Sequence, residues 1–258
     1  MSHPAQTTAV ARPSVYDHAV NAKAKNNSHA LMLGLIGQGQ RVLEVGCATG
    51  GMTLALGAQG CTVVGIEIDP DAAELARQYA ESVHVVDLDG ERLSARLPDQ
   101  SFDVIVFGDV LEHLRDPQRT LGDALQLLRA NGRVVISVPN MAHADVRLAL
   151  LEGQVPYADL GLLDRTHRHW FTRDNLQALL KACGLRVTQW QRTVQALGKT
   201  EIPYNRKALP WALQHWLSHQ PEATTYQFIV QAQRAAEVPA VAELPEATAR
   251  WRWWRKLA

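Results

Sequence analysis

The segment Val42–Gly50, VLEVGCATG, is where this sequence first places chemistry. A short apolar run carries one acid, Glu44, and enters a turn with Gly46 and Gly50 that opens onto a helical pattern. Gly46 allows a tight turn and a close approach of backbone to a ligand. A second acid, Glu67, stands at the end of the next apolar run. Doubly wound folds place an acceptor for ribose hydroxyls there. Gly46, Ala48 and Gly51 also fit a relaxed dinucleotide fingerprint. A carboxylate at Glu44 aimed into the turn would repel a pyrophosphate, however, and suits a ligand that bears an ammonium group. The plain alternative is that Glu44 and Glu67 cap helices or form salt bridges. Cys47 lies in the same turn with no base beside it in sequence, so it is expected to line the ligand site as a small packing residue rather than to act as a nucleophile.

Two further groups could act on a bound substrate. DVLEH places Asp109, Glu112 and His113 within one helical turn. They could hold a divalent cation or simply brace the turn. The other group follows the fifth apolar run: His143, then Asp164, His167 and His169 within GLLDRTHRHWFT. An imidazole accepts a proton near pH 7, which an ordinary carboxylate does less well. His143 or His167 is therefore the expected general base, with Asp164 orienting the ring and His113 and Asp109 next in line. His169 is expected to be structural.

These groups need a frame. Arg41–Val45, Thr62–Ile68, Val83–Val86, Phe102–Phe107 and Arg133–Val138 read as near-continuous apolar strands. Helical patterns lie between them: Gly50–Leu56, then Pro70–Tyr79, then Pro117–Arg129, with a turn at Asn131-Gly132. Such alternation predicts a parallel sheet covered on both faces. A helix over Ser14–Ile36, broken near Asn26 and Asn27, precedes the first strand. Ala144–Leu151 reads as a helix within an insertion, residues 141–170, expected to cap the crevice. Thr172 caps a helix over Arg173–Cys183 that Gly184 ends. Leu185–Gln191 is a sixth strand, and Thr225–Ala232 a seventh, joined antiparallel. The domain expected is 14–233, with a loose arm at 1–13 and a linker and tail at 234–258.

With its motifs in that order, the chain resembles the class I S-adenosylmethionine-dependent methyltransferases over most of its length. The resemblance implies a Rossmann-like α/β fold with a seven-stranded, mostly parallel sheet, and S-adenosyl-L-methionine as cofactor. Glu44, Gly46, Ala48 and Gly50 match the family's acid-and-glycine turn, with alanine at the middle glycine. VVGIEID implies Glu67 on the ribose and Ile68 against the adenine; HVVDLD implies Asp87 near the adenine amino group, flanked by Leu88. Asp109 follows the fourth strand at the cofactor edge. DVLEH is similar to the E-x-x-E-H of methyltransferases acting on ubiquinone precursors and on the 2′-hydroxyl of small-RNA ends, which binds a divalent cation. Here Asp109 stands for the first glutamate and no second histidine is assignable, so no metal is expected. PNMAH followed by LLDRTH looks like a branch associated with bacterial surface-glycan modification. A sugar or glycan hydroxyl is the leading acceptor on that basis. A quinone or phenolic metabolite is the alternative, and a non-catalytic module supporting a glycosyltransferase is a third possibility.

Composition narrows the partners. Lys and Arg number 26, as do Asp and Glu, so a basic groove for a long nucleic acid is not indicated. Hydrophobic residues make up 47%, enough for a sizeable core. Cys47, Cys61 and Cys183 form no paired motif, which suits a reducing compartment. With no signal-peptide pattern and no apolar run long enough to span a bilayer, a cytoplasmic location is expected. The tail WRWWRKLA suits a terminal helix folded back onto the domain, or else contact with a membrane surface or a partner such as a glycosyltransferase.

Overall fold

A computed structural model describes residue 20, residues 24–203 and residues 209–235. The arm, most of the linker and the Trp-rich tail lie outside the described residues. Seven strands form one sheet: β1 (Arg41–Val45), β2 (Thr62–Glu67), β3 (Ser82–Val85), β4 (Phe102–Gly108), β5 (Leu128–Pro139), β6 (Leu185–Val194) and β7 (Thr225–Arg234). Their order is β3-β2-β1-β4-β5-β7-β6. Only β7 runs antiparallel, between β5 and β6. The helices are α1 (Ser28–Ile36), α2 (Gly51–Ala58), α3 (Pro70–Ala76), α4 (Leu93–Arg96), α5 (Pro117–Ala124), α6 (Ala144–Leu151), α7 (Arg173–Ala182) and α8 (Trp211–Ser218).

Alternation along each strand divides the core between two faces. On β4, Val104 and Val106 join Met32, Leu33 and Ile36 of α1 and Met52 and Leu56 of α2. Ile105 and Phe107 point the other way, into a cluster with Leu121 of α5 and Leu176 and Leu180 of α7. Near-continuous apolar strands follow from this burial on both sides. The strand ends that result form one edge, where β1, β2, β4 and β5 all finish.

Three local expectations change. The helix of Pro117 stops at Ala124, a 3-10 turn covers Leu125–Leu127, and β5 begins at Leu128. Asn131 and Gly132 thus lie within the strand, at a register shift opposite β4, rather than in a separate turn. Leu128 folds over Gly132, where a Cβ would meet Leu128 Cδ1 at 2.6 Å. Before β1, the described helix begins only at Ser28. Asn26 exchanges two side-chain hydrogen bonds with the Val194 backbone, and Asn27 caps α1 by accepting from the Ala30 amide. Helices α4, four residues long, and α8 are not among the elements expected from the sequence; α8 buries Leu217 and leaves Trp211 and Trp216 exposed.

In residues 141–170, Val146, Ala149, Leu162 and Leu163 pack with Ile202 into a small separate core. Asn140 anchors it. Its buried side chain donates to the carbonyls of Glu222 and Thr225 and accepts from the Ala142 amide. The cap returns to the sheet at Phe171, which bridges to Asn140. There Thr172 and Asn175 form a reciprocal capping box at the start of α7. Thr172→Ala should cost about 1 kcal/mol in urea unfolding, while Thr172→Ser stays near wild type; equal stability of all three would show that the box contributes nothing.

Candidate active site

The turn after β1 is left-handed at Gly46 (φ +75), Ala48 (φ +46) and Gly50 (φ +90). A Cβ on Gly46 would lie 2.5 Å from Val110 Cγ2, and one on Gly50 would lie 2.9 Å from Tyr79 Cδ2. Neither position tolerates a side chain. Alanine at the third position adopts the strained conformation because its amide donates to Glu67 Oε2 at 2.8 Å. The other oxygen of Glu67 accepts from the amides of Ile68 and Asp69 at 2.8 and 3.0 Å. Glu67 therefore ties the β1 turn to the β2 turn. Cys47 is buried, and a Cβ on Gly65 would lie 2.8 Å from its sulfur. Burial, with Glu44 and Glu67 adding to it, raises its thiol far above the ordinary value, which disfavours the thiolate.

These turns open on a cleft of about 780 Å³ along the sheet edge. Glu44, Gly46, Cys47, Glu67, Ile68, Asp87, Leu88 and Asp109 all line it. Glu44 is buried and accepts from Thr53 Oγ1 at 2.6 Å. Burial pushes its carboxyl up to about 8; the Thr53 hydroxyl opposes this and the Glu67 charge adds to it. Asp109 has φ +54, and both its oxygens accept from Gln227 Nε2 at 3.0 Å. Burial lifts it above the carboxylate range against the pull of His29, Ser137 and Gln227.

Farther along the cleft, the 3-10 turn Leu111–His113 meets the cap. The amides of Arg168 and His169 both donate to the Glu112 carbonyl, at 2.7 and 3.0 Å. This brings His167 beside His113, with ring centroids 4.9 Å apart. Glu112 is fully buried, and among the described residues neither of its carboxyl oxygens has a hydrogen-bond partner; nor does His167 Nδ1. One ligand atom each from Glu112, His113 and His167 lie within 4.8 Å of one another. Burial, with Asp109 adding to it, raises Glu112 well above its ordinary value. Burial lowers both imidazoles, His167 to about 4 with His113 contributing. Near neutral pH both rings therefore keep a lone pair.

The expected catalytic residues separate. Asp164, His167 and His113 line the cleft. His143 does not. It is fully buried as the N-cap of α6: its Nδ1 accepts from the Asp145 amide, and its Nε2 donates to the Gln195 carbonyl at 3.0 Å. A ring with both nitrogens engaged in the cap's foundation has no route to an acceptor hydroxyl, so His143 is corrected from base to structural residue. The Asp164 carboxylate accepts from the Thr166 amide and hydroxyl, and its carbonyl accepts from the His167 amide at 3.1 Å. His169 Nε2 donates to the Arg115 carbonyl at 3.2 Å. The missed residues are Tyr226 and Gln227. An antiparallel β7 must start where the parallel strands end, so the first residues of TYQFIVQA were traceable to this edge.

Two outcomes follow. The folded chain keeps a proton on Glu44 that an unfolded chain loses above its ordinary value of 4.5, so stability falls as pH rises toward 8. Glu44→Gln should raise the thermal midpoint at pH 8, change little at pH 5, and weaken binding of a cationic ligand; an equal shift at both pH values would remove Glu44 from this role. His143→Ala should lose about 1–3 kcal/mol of stability with ligand affinity retained. Unchanged stability with a large loss of turnover would return it to the catalytic set.

A family model described as a methyltransferase domain matches residues 16–190. A demethylmenaquinone methyltransferase of Tropheryma whipplei is 30% identical over 174 residues, covering 62% of this chain and 72% of the relative. A ubiquinone biosynthesis O-methyltransferase of Xylella fastidiosa is 29% identical over 177 residues, covering 64% and 72%. Among solved structures, an S-adenosylmethionine-dependent methyltransferase from Archaeoglobus fulgidus aligns with a TM-score of 0.56 at 17% identity, covering 81% of this chain and 95% of that one. Magnesium protoporphyrin IX methyltransferase from Synechocystis, with bound S-adenosylhomocysteine, aligns at 0.53 and 15%, covering 80% of each. With the acid-and-glycine turn, the strand order and the cleft at the strand ends all in place, the chain belongs to the class I S-adenosylmethionine-dependent methyltransferases.

Proposed function

We propose that this methyltransferase methylates a hydroxyl on an aromatic ring, of the phenol or quinol class, and that His113 accepts the hydroxyl proton. The observation that carries the reading is the pairing of His113 and His167 in the same cleft as the cofactor turn. The named relatives that act in menaquinone and ubiquinone biosynthesis support a ring acceptor. The cleft wall offers Met32, Val110, Leu114, Leu160 and Tyr226, surfaces suited to a flat apolar ring. The sugar acceptor anticipated from the cap motif draws no such support from these relatives.

The sulfonium already activates the methyl group, so the chain's task is placement and proton removal. Glu44 and Glu67 fix the donor against the β1 and β2 turns. The cap lines the far side of the cleft with Leu160 and Gly161. As the acceptor oxygen attacks the methyl carbon, its O–H bond breaks and the proton passes to an imidazole. The methyl–sulfur bond breaks in line, and its electron pair stays on sulfur.

A second reading rests on Glu112. A buried carboxyl with no hydrogen-bond partner among the described residues, beside two unprotonated imidazoles, fits a divalent cation, against the metal-free expectation. Glu112, His113 and His167 would hold it. When bound it would lower the pKa of an acceptor hydroxyl.

The test uses the full chain with methyl donor and a panel of catechols, demethylated quinols, nucleotide sugars and lipid-linked glycans, read as S-adenosylhomocysteine formed. Ring acceptors should be methylated, and His113→Ala should lower turnover by roughly 10²–10⁴ with S-adenosylhomocysteine affinity unchanged. Methylation of sugars alone would overturn the acceptor class. Turnover unchanged by EDTA supports the imidazole acting by itself; loss in EDTA restored by magnesium or manganese supports the second reading.

A further inference from the structure

Asp164, Thr166 and His113 form a chain of hydrogen bonds that leads out of the cap and into the cleft. Asp164 is nearly fully buried at the cap's inner edge. Thr166 Oγ1 donates to Asp164 Oδ1 at 2.6 Å. The amide of Thr166 donates to the same oxygen at 2.8 Å, which locks the turn. A hydroxyl has one proton. Once that proton is spent on Asp164, the oxygen can only accept from His113 Nδ1, 3.0 Å away.

We propose that Asp164 and Thr166 set the tautomer of His113: they hold its proton on Nδ1, so that the ring's lone pair lies on Nε2, the atom that takes the acceptor's proton. Neither residue touches the reacting atoms, so both are positioning residues. The proton balance closes. The acceptor O–H breaks and an Nε2–H bond forms, while O–CH3 forms and CH3–S breaks. The imidazolium that results is stabilised through Thr166 by the buried Asp164 charge, a longer form of the carboxylate–histidine pair. The arrangement also explains why a cap residue with an exposed side chain, Thr166, is tied to an element 53 positions away. This inference rests on the reading of His113 as base, but its first test does not require the acceptor to be known.

That test is nuclear magnetic resonance of the 15N-histidine-labelled full chain in EDTA, with S-adenosylhomocysteine bound. His113, assigned by its absence in His113→Gln, should be the Nδ1–H tautomer in the wild type. In Thr166→Val, which keeps shape and loses the hydroxyl, the Nε2–H form should appear, and Thr166→Ser should restore the wild-type pattern. With a working acceptor, kcat in Thr166→Val and Asp164→Asn should fall by about 10²-fold, with KM for the methyl donor unchanged and Thr166→Ser active. An Nε2–H tautomer in the wild type would overturn the proposal, and so would a Thr166→Val protein with wild-type tautomer and rate. Thr166→Val that loses turnover and donor affinity together, without a tautomer change, would show a cap brace and also overturn it. If ring acceptors fail but the tautomer responds as stated, the relay stands and the acceptor class falls.

Discussion

The chain leaves β1 pointing at solvent and must turn into α2 within a few residues, without filling the space beyond the strand ends. Backbone sterics make that turn costly for most residues. Gly46 and Gly50 meet it by lacking a side chain where Val110 and Tyr79 already stand. Ala48 meets it only because Glu67 grips its amide from the neighbouring strand. Everything farther out depends on this turn. Had it bulged, the cleft would be occupied, the β2 turn would lose its partner, and the 3-10 turn after β4 would be pushed from the sheet edge.

Acids dominate that edge. Glu44, Glu67, Asp109, Glu112 and Asp164 approach one cleft from four parts of the chain. Burial keeps so much like charge from being prohibitive, since it favours the neutral form of Glu44, Asp109 and Glu112. The two most firmly hydrogen-bonded acids, Glu67 and Asp164, serve as anchors for backbone turns. A cationic donor is welcome in such a site, and a phosphate-bearing one is not. Departure of the methyl group removes the positive charge from sulfur, so donor and product differ by one charge in this cleft.

The cap works as a second wall with its own foundations. Asp145 accepts from the Gly198 amide and the Thr200 hydroxyl, His143 grips the Gln195 carbonyl, and Glu201 joins the Leu162 amide to the Tyr226 hydroxyl. These bonds join the cap to the segment after β6, so its position over the cleft is inherited from the sheet. The two amides that reach the Glu112 carbonyl then set the distance between the cap and the 3-10 turn. Side chains from both sides meet there, and that meeting makes the chemistry possible.

Much of this was legible in order along the chain. Apolar strands, the glycine turn and the acids at strand ends declare themselves within windows of ten residues, because local sterics and burial on two faces leave few alternatives. The cofactor half of the site belongs to that class: Glu44, Gly46, Gly50 and Glu67 lie where their own strands must end. The boundary at Leu128 was hidden because a leucine-rich run suits helix and strand alike, and only packing against Phe102 and Gly132 chooses. The acceptor half is different in kind. His143 and His167 look equivalent in sequence, both polar residues in one insertion, yet one is sealed beneath α6 and the other lies against His113. That choice depends on contacts between residues more than fifty positions apart, made by Asn140 and the Glu112 carbonyl. No local periodicity encodes such contacts. The sequence by itself determined the sheet, its ligand edge and the cofactor; the tertiary structure decided which histidine faces the cleft, because only the folded cap brings His167 and Thr166 to His113.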